Sequence, residues 1–193
     1  MLIDISQELF SCRVYPGDPA PASTALTRME AGDVCNTSAI SLCAHNGTHV
    51  DAPWHFIRDG KTIDRVGLVP FVGPCYVARH TGEVTGADAE DLLRRAREAG
   101  AGERLLIAGP ATVTEEAAEV LAAARLLLVG NESQTVGPEN APARVHRLLL
   151  GAGTVLLEGV VLTDVAEGAY TLHAAPLNLA GLDGTPCRAY LTD

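Results

Sequence analysis

Polar and apolar or β-branched positions alternate through much of the first third of the chain. This period of two predicts short strands over residues 2–5, 24–29 and 36–43. Between the first two lies a segment with Pro16, Gly17, Pro19 and Pro21, which predicts a turn-rich loop over 11–22. Residues 44–62 carry Gly47, Pro53 and the pair Asp59-Gly60, and read as one long loop. A loop of that length inside a compact domain is usually functional. A strand follows over 75–79.

The rhythm then changes to strand–helix alternation. A helix over 87–99, with Leu92 and Leu93 on its apolar face, stops at Gly100. A strand over 105–108 leads directly to a helix over 115–124 that starts at Thr112 or Thr114. Residues 126–129 form a buried strand, 131–140 a polar loop, and 143–150 a helix closed by Gly151. Strands over 154–157, 170–173 and 187–191 complete the reading. Strands first and strand–helix units afterwards predict an α/β fold, a mixed sheet with helices packed on it.

The chain has 193 residues and a mass of 20.2 kDa, enough to hide about 70% of its unfolded surface. No linker interrupts it, so residues 1–193 are read as a single domain. The longest apolar runs, such as Leu126 to Val129, fall far short of the ~20 residues of a membrane span. The first ten residues hold acids and no base, unlike a secretion signal. Twenty-four acids against 14 Lys and Arg give a formal charge of −10. Arg94, Arg95 and Arg97 are interleaved with Glu90, Asp91 and Glu98, so no basic run could follow a phosphate backbone. Nucleic acid and anionic membrane surfaces are excluded as partners. Five cysteines, an odd number without a CxxC pair, predict small core residues in a reduced, cytoplasmic setting.

Chemistry concentrates at His45-Asn46-Gly47-Thr48-His49-Val50-Asp51-Ala52-Pro53-Trp54-His55, which holds half of the six histidines. Neutral imidazole and carboxylate are the usual ligands of zinc and similar divalent ions. On a fixed bend, His45, His49 and Asp51 can converge with no distant folding event. The HEXXH pattern is absent, because no Glu follows the first His. Glu158 ends the strand Val155-Leu156-Leu157, and a charge at the mouth of a buried strand needs a partner or a metal. Taken alone, His146 reads as a surface position of its helix, and His80 and His173 as structural residues.

The run HNGTHVDAPWHF resembles the HxGTHxDxPxH signature of the cyclase-family metal-dependent hydrolases, which include bacterial kynurenine formamidases. The resemblance spans nearly the whole chain. Val14-Tyr15-Pro16-Gly17-Asp18-Pro19 is similar to the family's N-terminal aromatic-Pro-Gly-Asp loop. His146 with Glu158-Gly159-Val160-Val161-Leu162 is similar to its second His and Glu block. Ala175-Pro176-Leu177 and Leu182-Asp183-Gly184-Thr185-Pro186-Cys187-Arg188-Ala189 are similar to its C-terminal blocks.

The resemblance implies a swivelling β/β/α fold and two divalent ions per chain, zinc first and manganese second. It implies that His45, His49 and Asp51 bind one ion, that Asp51 and Glu158 bridge to the other, and that His146 completes the second site. It places His55 on the catalytic acid/base and Tyr15 where the family stacks a Trp on substrate. Two ions sharing a water make a nucleophile at neutral pH for an amide carbonyl. The implied substrate is N-formylkynurenine or a related small aryl amide. An isatin-like lactam is the alternative within the family, and a non-catalytic metal or small-molecule binder the alternative outside enzymes. The kynurenine formamidase pattern carries an Arg-Thr pair and an aromatic insert where this chain has Ala108-Gly109-Pro110, and a Lys where it has Asn178. No G-x-S-x-G elbow offers a serine route. A homodimer or higher homo-oligomer is expected, with the Tyr15 loop near a neighbouring site.

Overall fold

The computed structural model describes residues 1–193. Thirteen strands and three α-helices follow one another along the chain. They are β1 (Leu2–Asp4), β2 (Ala22–Thr27), β3 (Thr37–Ser41), β4 (His49–Asp51), β5 (Val72–Arg79), β6 (Gly82–Val84), α1 (Gly86–Glu98), β7 (Arg104–Ala108), β8 (Ala111–Val113), α2 (Glu115–Ala123), β9 (Leu128–Asn131), α3 (Ala143–Gly151), β10 (Val155–Glu158), β11 (Gly168–His173), β12 (Gly184–Pro186) and β13 (Tyr190–Thr192). The mixed α/β prediction holds.

Nine strands form one sheet in the order β1-β13-β11-β5-β7-β9-β10-β4-β12. Its centre, β5-β7-β9-β10, is parallel, with α1, α2 and α3 as the crossovers. Antiparallel strands flank that centre on both sides. A parallel centre must be covered on both faces, and the strands show it residue by residue. Leu105, Ile107, Val129 and Leu156 enter a core shared with Leu92, Leu121 and Leu149 of the helices. Their neighbours Leu106, Leu128, Val155 and Leu157 enter a second core with Ile5, Phe71, Leu172 and Leu191. Truncating Leu106 or Leu149 to Ala would cost about 2–5 kcal/mol through lost contacts and residual cavity.

The helix starts follow capping chemistry. Thr85 accepts from Asp88 N at 3.2 Å while Asp88 accepts from Thr85 N at 2.9 Å, a reciprocal capping box. Thr114, not Thr112, caps α2 by accepting from Ala117 N. No helix is long and apolar enough to cross a membrane.

Several local predictions need correction. The segment 44–62 is not all loop, because β4 lies inside it with all three residues buried. Three residues rich in polar side chains give no periodic signal; pairing to β10 on one side and β12 on the other makes them a strand. Of the strand predicted over 187–191 only Tyr190 and Leu191 are extended, as part of β13; Cys187–Ala189 belong to no strand and separate β13 from β12. Chain after β7 does not run straight into a helix, since β8 intervenes and pairs with β6. In the loop 131–140, Gln134, Thr135 and Val136 are buried. Among the five free cysteines only Cys75 is a core residue; Cys35 is exposed and the rest are half-buried.

β2 and β3 form a separate two-stranded ribbon with almost every residue exposed. Such a ribbon is marginal by itself. Arg28 ties it together, donating to the carbonyls of Thr27 and Thr37 at 2.8 and 2.9 Å.

Candidate metal centre

His49 and Asp51 are two apart on β4, so they share one face of the sheet. Val50 between them enters the core on the far side. Glu158 pairs with His49 in the antiparallel register, and Leu156, opposite Asp51, belongs to the helix-side core. All three polar side chains therefore face the helices, at the carboxyl end of β10. Ligand sites in open α/β sheets form at such ends. α3 brings His146 down onto them. It is a buried residue, not the surface position its helix suggested.

The imidazoles are oriented in one sense. His49 Nδ1 donates to the Gly47 carbonyl at 2.9 Å, leaving Nε2 to face Asp51 Oδ1 at 3.5 Å and Glu158 Oε2 at 3.4 Å. His146 Nδ1 donates to the Pro142 carbonyl at 2.9 Å, and its Nε2 faces Glu158 Oε1 at 3.1 Å and Asp51 Oδ2 at 3.6 Å. His45 Nδ1 lies 2.9 Å from Asp51 Oδ1, and its Nε2 lies 2.9 Å from Asp183 Oδ2. Each ring thus anchors one nitrogen outward and presents the other to a buried carboxylate. Such outer anchors fix the tautomer of metal-binding histidines.

The electrostatics call for a cation. Burial pushes the Asp51 and Glu158 carboxyls up, yet the imidazoles around them hold both below the ordinary carboxylate range. Burial opposes charge on His45 and His146, but the facing carboxylates outweigh it and raise them to about 11 and about 9. Asp51 Oδ2 is buried with no hydrogen-bond donor. A lone pair aimed at a carboxylate oxygen requires a proton or a metal between them. The donor set therefore fits divalent ions of the zinc or manganese type.

Two donor groups have all their ligand atoms within 4.8 Å: His45, Asp51 and His55, and His49, Asp51 and Glu158. Asp51 belongs to both. The grouping differs from the implied one: His49 joins Glu158 and not His45, His55 joins His45, and His146 is in neither group. His55 is part-exposed, stacks on His45 with ring centroids 4.1 Å apart, and faces Asp183 Oδ2 through Nδ1 at 3.2 Å. A cavity of about 200 Å³ opens over the cluster. Tyr15, Asp18, Phe56 and Thr135 help to line it, and no Lys or Arg does. Tyr15 reaches the site of its own chain, and its hydroxyl donates to the Glu139 carbonyl at 2.7 Å. His80 bonds the Glu83 carbonyl and His173 stacks on Tyr190, both away from the cluster.

Sequence reasoning gave no role to Asp183, although it bonds two of the six histidines. Its Asp-Gly pair carries only a turn signal, and its partners lie far off in the chain.

The fold and the site together are those of metal-dependent hydrolases. A solved "Potential Metal-Dependent Hydrolase With Cyclase Activity" superposes with a TM-score of 0.84 at 28% identity, over 99% of this chain and 96% of that one. Isatin hydrolase A from Labrenzia aggregata shares the fold at a TM-score of 0.83 and 22% identity, covering 99% of this chain and 93% of its own. The Cyclase family model matches residues 3–138. The kynurenine formamidase of Salinibacter ruber is 35% identical, across 100% of this chain and 97% of that protein. The chain belongs to the Cyclase family and is an enzyme, a metal-dependent hydrolase.

Proposed function

We propose that this hydrolase cleaves a carbon–nitrogen bond outside peptides, the formamide bond of N-formylkynurenine or a related small aryl amide. The likeness to the Salinibacter ruber enzyme across the whole chain supports that substrate class. The observation that carries the mechanism is the orphaned, buried Asp51 Oδ2, which His146 Nε2 faces at 3.6 Å while His45 and His49 face Oδ1 of the same carboxylate. His45, His49, Asp51, His146 and Glu158 would hold two divalent ions, zinc first and manganese second, with Asp51 common to both. When bound, such ions supply Lewis acidity and a water acidic enough to lose its proton near neutral pH.

The chain's own residues do the rest. Asp51 and Glu158 would offset the charge of bound ions. His55 lines the cavity beside the cluster, where it can carry a proton to the leaving nitrogen. Tyr15 presents an aromatic face to an aryl ring, and Phe56 walls the cavity near His146. The protein is proposed to work as a homodimer or higher homo-oligomer. Support comes from the ribbon and its connecting turn, where Leu26, Ile40 and Met29 are exposed, and not from the tip of the 11–22 loop, where Val14 and Tyr15 are half-buried in their own chain.

One observation favours the lactam alternative. The cavity is small and holds Asp18 but no Lys or Arg. It therefore suits an uncharged bicyclic amide such as an isatin-like lactam better than a substrate bearing a carboxylate. Assaying zinc- and manganese-loaded protein against N-formylkynurenine, simple aryl formamides and lactams decides between them. Turnover of formamides alone supports the first reading, turnover of lactams alone the second, and turnover of neither removes both.

A further inference from the structure

We propose that Asp183 is the positioning residue of this centre. One carboxylate oxygen fixes both the imidazole that faces Asp51 and the imidazole that faces the cavity. The inference rests on reading His45 as a metal ligand and His55 as the proton carrier. Asp183 Oδ2 lies 2.9 Å from His45 Nε2 and 3.2 Å from His55 Nδ1. The two rings are tilted by 31° over each other, so one acceptor serves both edges.

The backbone around Asp183 is fixed for this task. Its carbonyl accepts from Ala52 N at 2.8 Å, and the preceding Leu182 carbonyl accepts from Ile63 N at 2.8 Å. Gly184 follows, paired with Asp51 in the β12–β4 register. A Cβ at Gly184 would come 2.6 Å from the Val50 carbonyl oxygen and 2.8 Å from His45 Cε1. Only glycine lets the strand come close enough for Asp183 to meet the outer edge of the His45 ring.

The chemical consequence is a tautomer assignment for each ring. An ionised carboxylate only accepts hydrogen bonds. The nitrogens facing it, His45 Nε2 and His55 Nδ1, therefore carry the protons. That leaves the His45 Nδ1 lone pair for the side where Asp51 lies, and the His55 Nε2 lone pair for proton transfer in the cavity. Without the acceptor, either ring can flip or exchange tautomers, and each productive arrangement becomes one of several.

Three measurements on Asp183→Asn and Asp183→Glu test this. Zinc affinity, read by chelator competition without turnover, should fall about 10- to 100-fold in Asp183→Asn, as for other outer partners of metal-binding histidines. Asp183→Glu keeps an acceptor-only group and should recover part of it. Nitrogen-15 NMR of zinc-loaded wild type should show His45 protonated on Nε2 and His55 on Nδ1, with mixed tautomers in Asp183→Asn. For whichever amide the wild type turns over, kcat at saturating zinc should fall in Asp183→Asn with KM unchanged. The same change in a His55→Ala background should cost nothing further. Opposite tautomers in the wild type, or unchanged zinc affinity and tautomers in Asp183→Asn, overturn the inference. If Asp183→Asn does not fold, the wild-type tautomers and Asp183→Glu decide by the same criteria. A wild type inactive on every amide, but with the expected tautomers and Asp183-dependent zinc affinity, removes the proposed substrate and leaves Asp183 in place.

Discussion

Glu158 stands directly opposite His49 across the β4–β10 pair, and their side chains approach to 3.4 Å. A slip of one residue in that register would turn His49 and Asp51 toward the opposite core. The centre is therefore a property of strand pairing as much as of the residues that compose it.

Metal content tests this most directly. Protein purified without chelator should carry about two divalent ions per chain. Glu158→Ala should lower that number, because Glu158 faces both His49 and His146. Elemental analysis reads both. A fully loaded wild type with one ion, unaffected by Glu158→Ala, would end the paired-site reading.

His55 and His49 should fail in different ways. His55→Ala should keep its metals and lose about 10²–10⁴-fold in turnover, the usual contribution of a general acid or base. His49→Ala should lose metal first. His55 also stands in one of the two donor groups. Metal loss in His55→Ala would make it a ligand and hand the proton to another group.

Gly159, just after Glu158, has φ near +68°, and a Cβ there would lie 2.5 Å from the Gly47 carbonyl oxygen. Gly159→Ala should cost about 1–3 kcal/mol from backbone strain. At roughly 2–4 °C per kcal/mol for a chain of this size, a thermal melt resolves it. An unchanged melting temperature would mean that the turn after β10 relaxes freely.

Glu167 carries the acid-side prediction. Burial raises its carboxyl, but the Arg79 N–H, the Tyr76 hydroxyl and Arg95 outweigh it and hold it below the ordinary value. A folded value below the unfolded one contributes stability above the unfolded pKa, near 4.5. That stability is lost as pH falls through the folded value. Wild type should lose stability more steeply below pH ~4.5 than Glu167→Gln, and should be the more stable above it. Denaturant melts across that range check the crossover, and parallel curves would refute it.

Assembly and substrate contact can be separated. Light scattering at micromolar concentration should show a dimer or larger species; a clean 20.2 kDa species would refute it. Tyr15→Ala should raise KM for an aromatic substrate with metal content unchanged. An unchanged KM would mean that Tyr15 braces Glu139 and no more.

The chain's own pattern determined the α/β class, the helices near 87–99, 115–124 and 143–150, and the chemistry of the His45–His55 run. These signals are local: a cap, a period, or ligands a few residues apart. Only the tertiary structure decided that His49 and Asp51 lie on a strand, that His146 is buried, and that Asp183 joins His45 to His55. β4 is too short to show a period, and it exists because β10 and β12 supply its hydrogen bonds. His146 looks like a surface residue until α3 crosses back over β10. Asp183 gains its partners only when the end of the chain returns to the strand laid down near its beginning. Contacts between distant segments leave no spacing to read, because what selects them is burial and pairing in three dimensions.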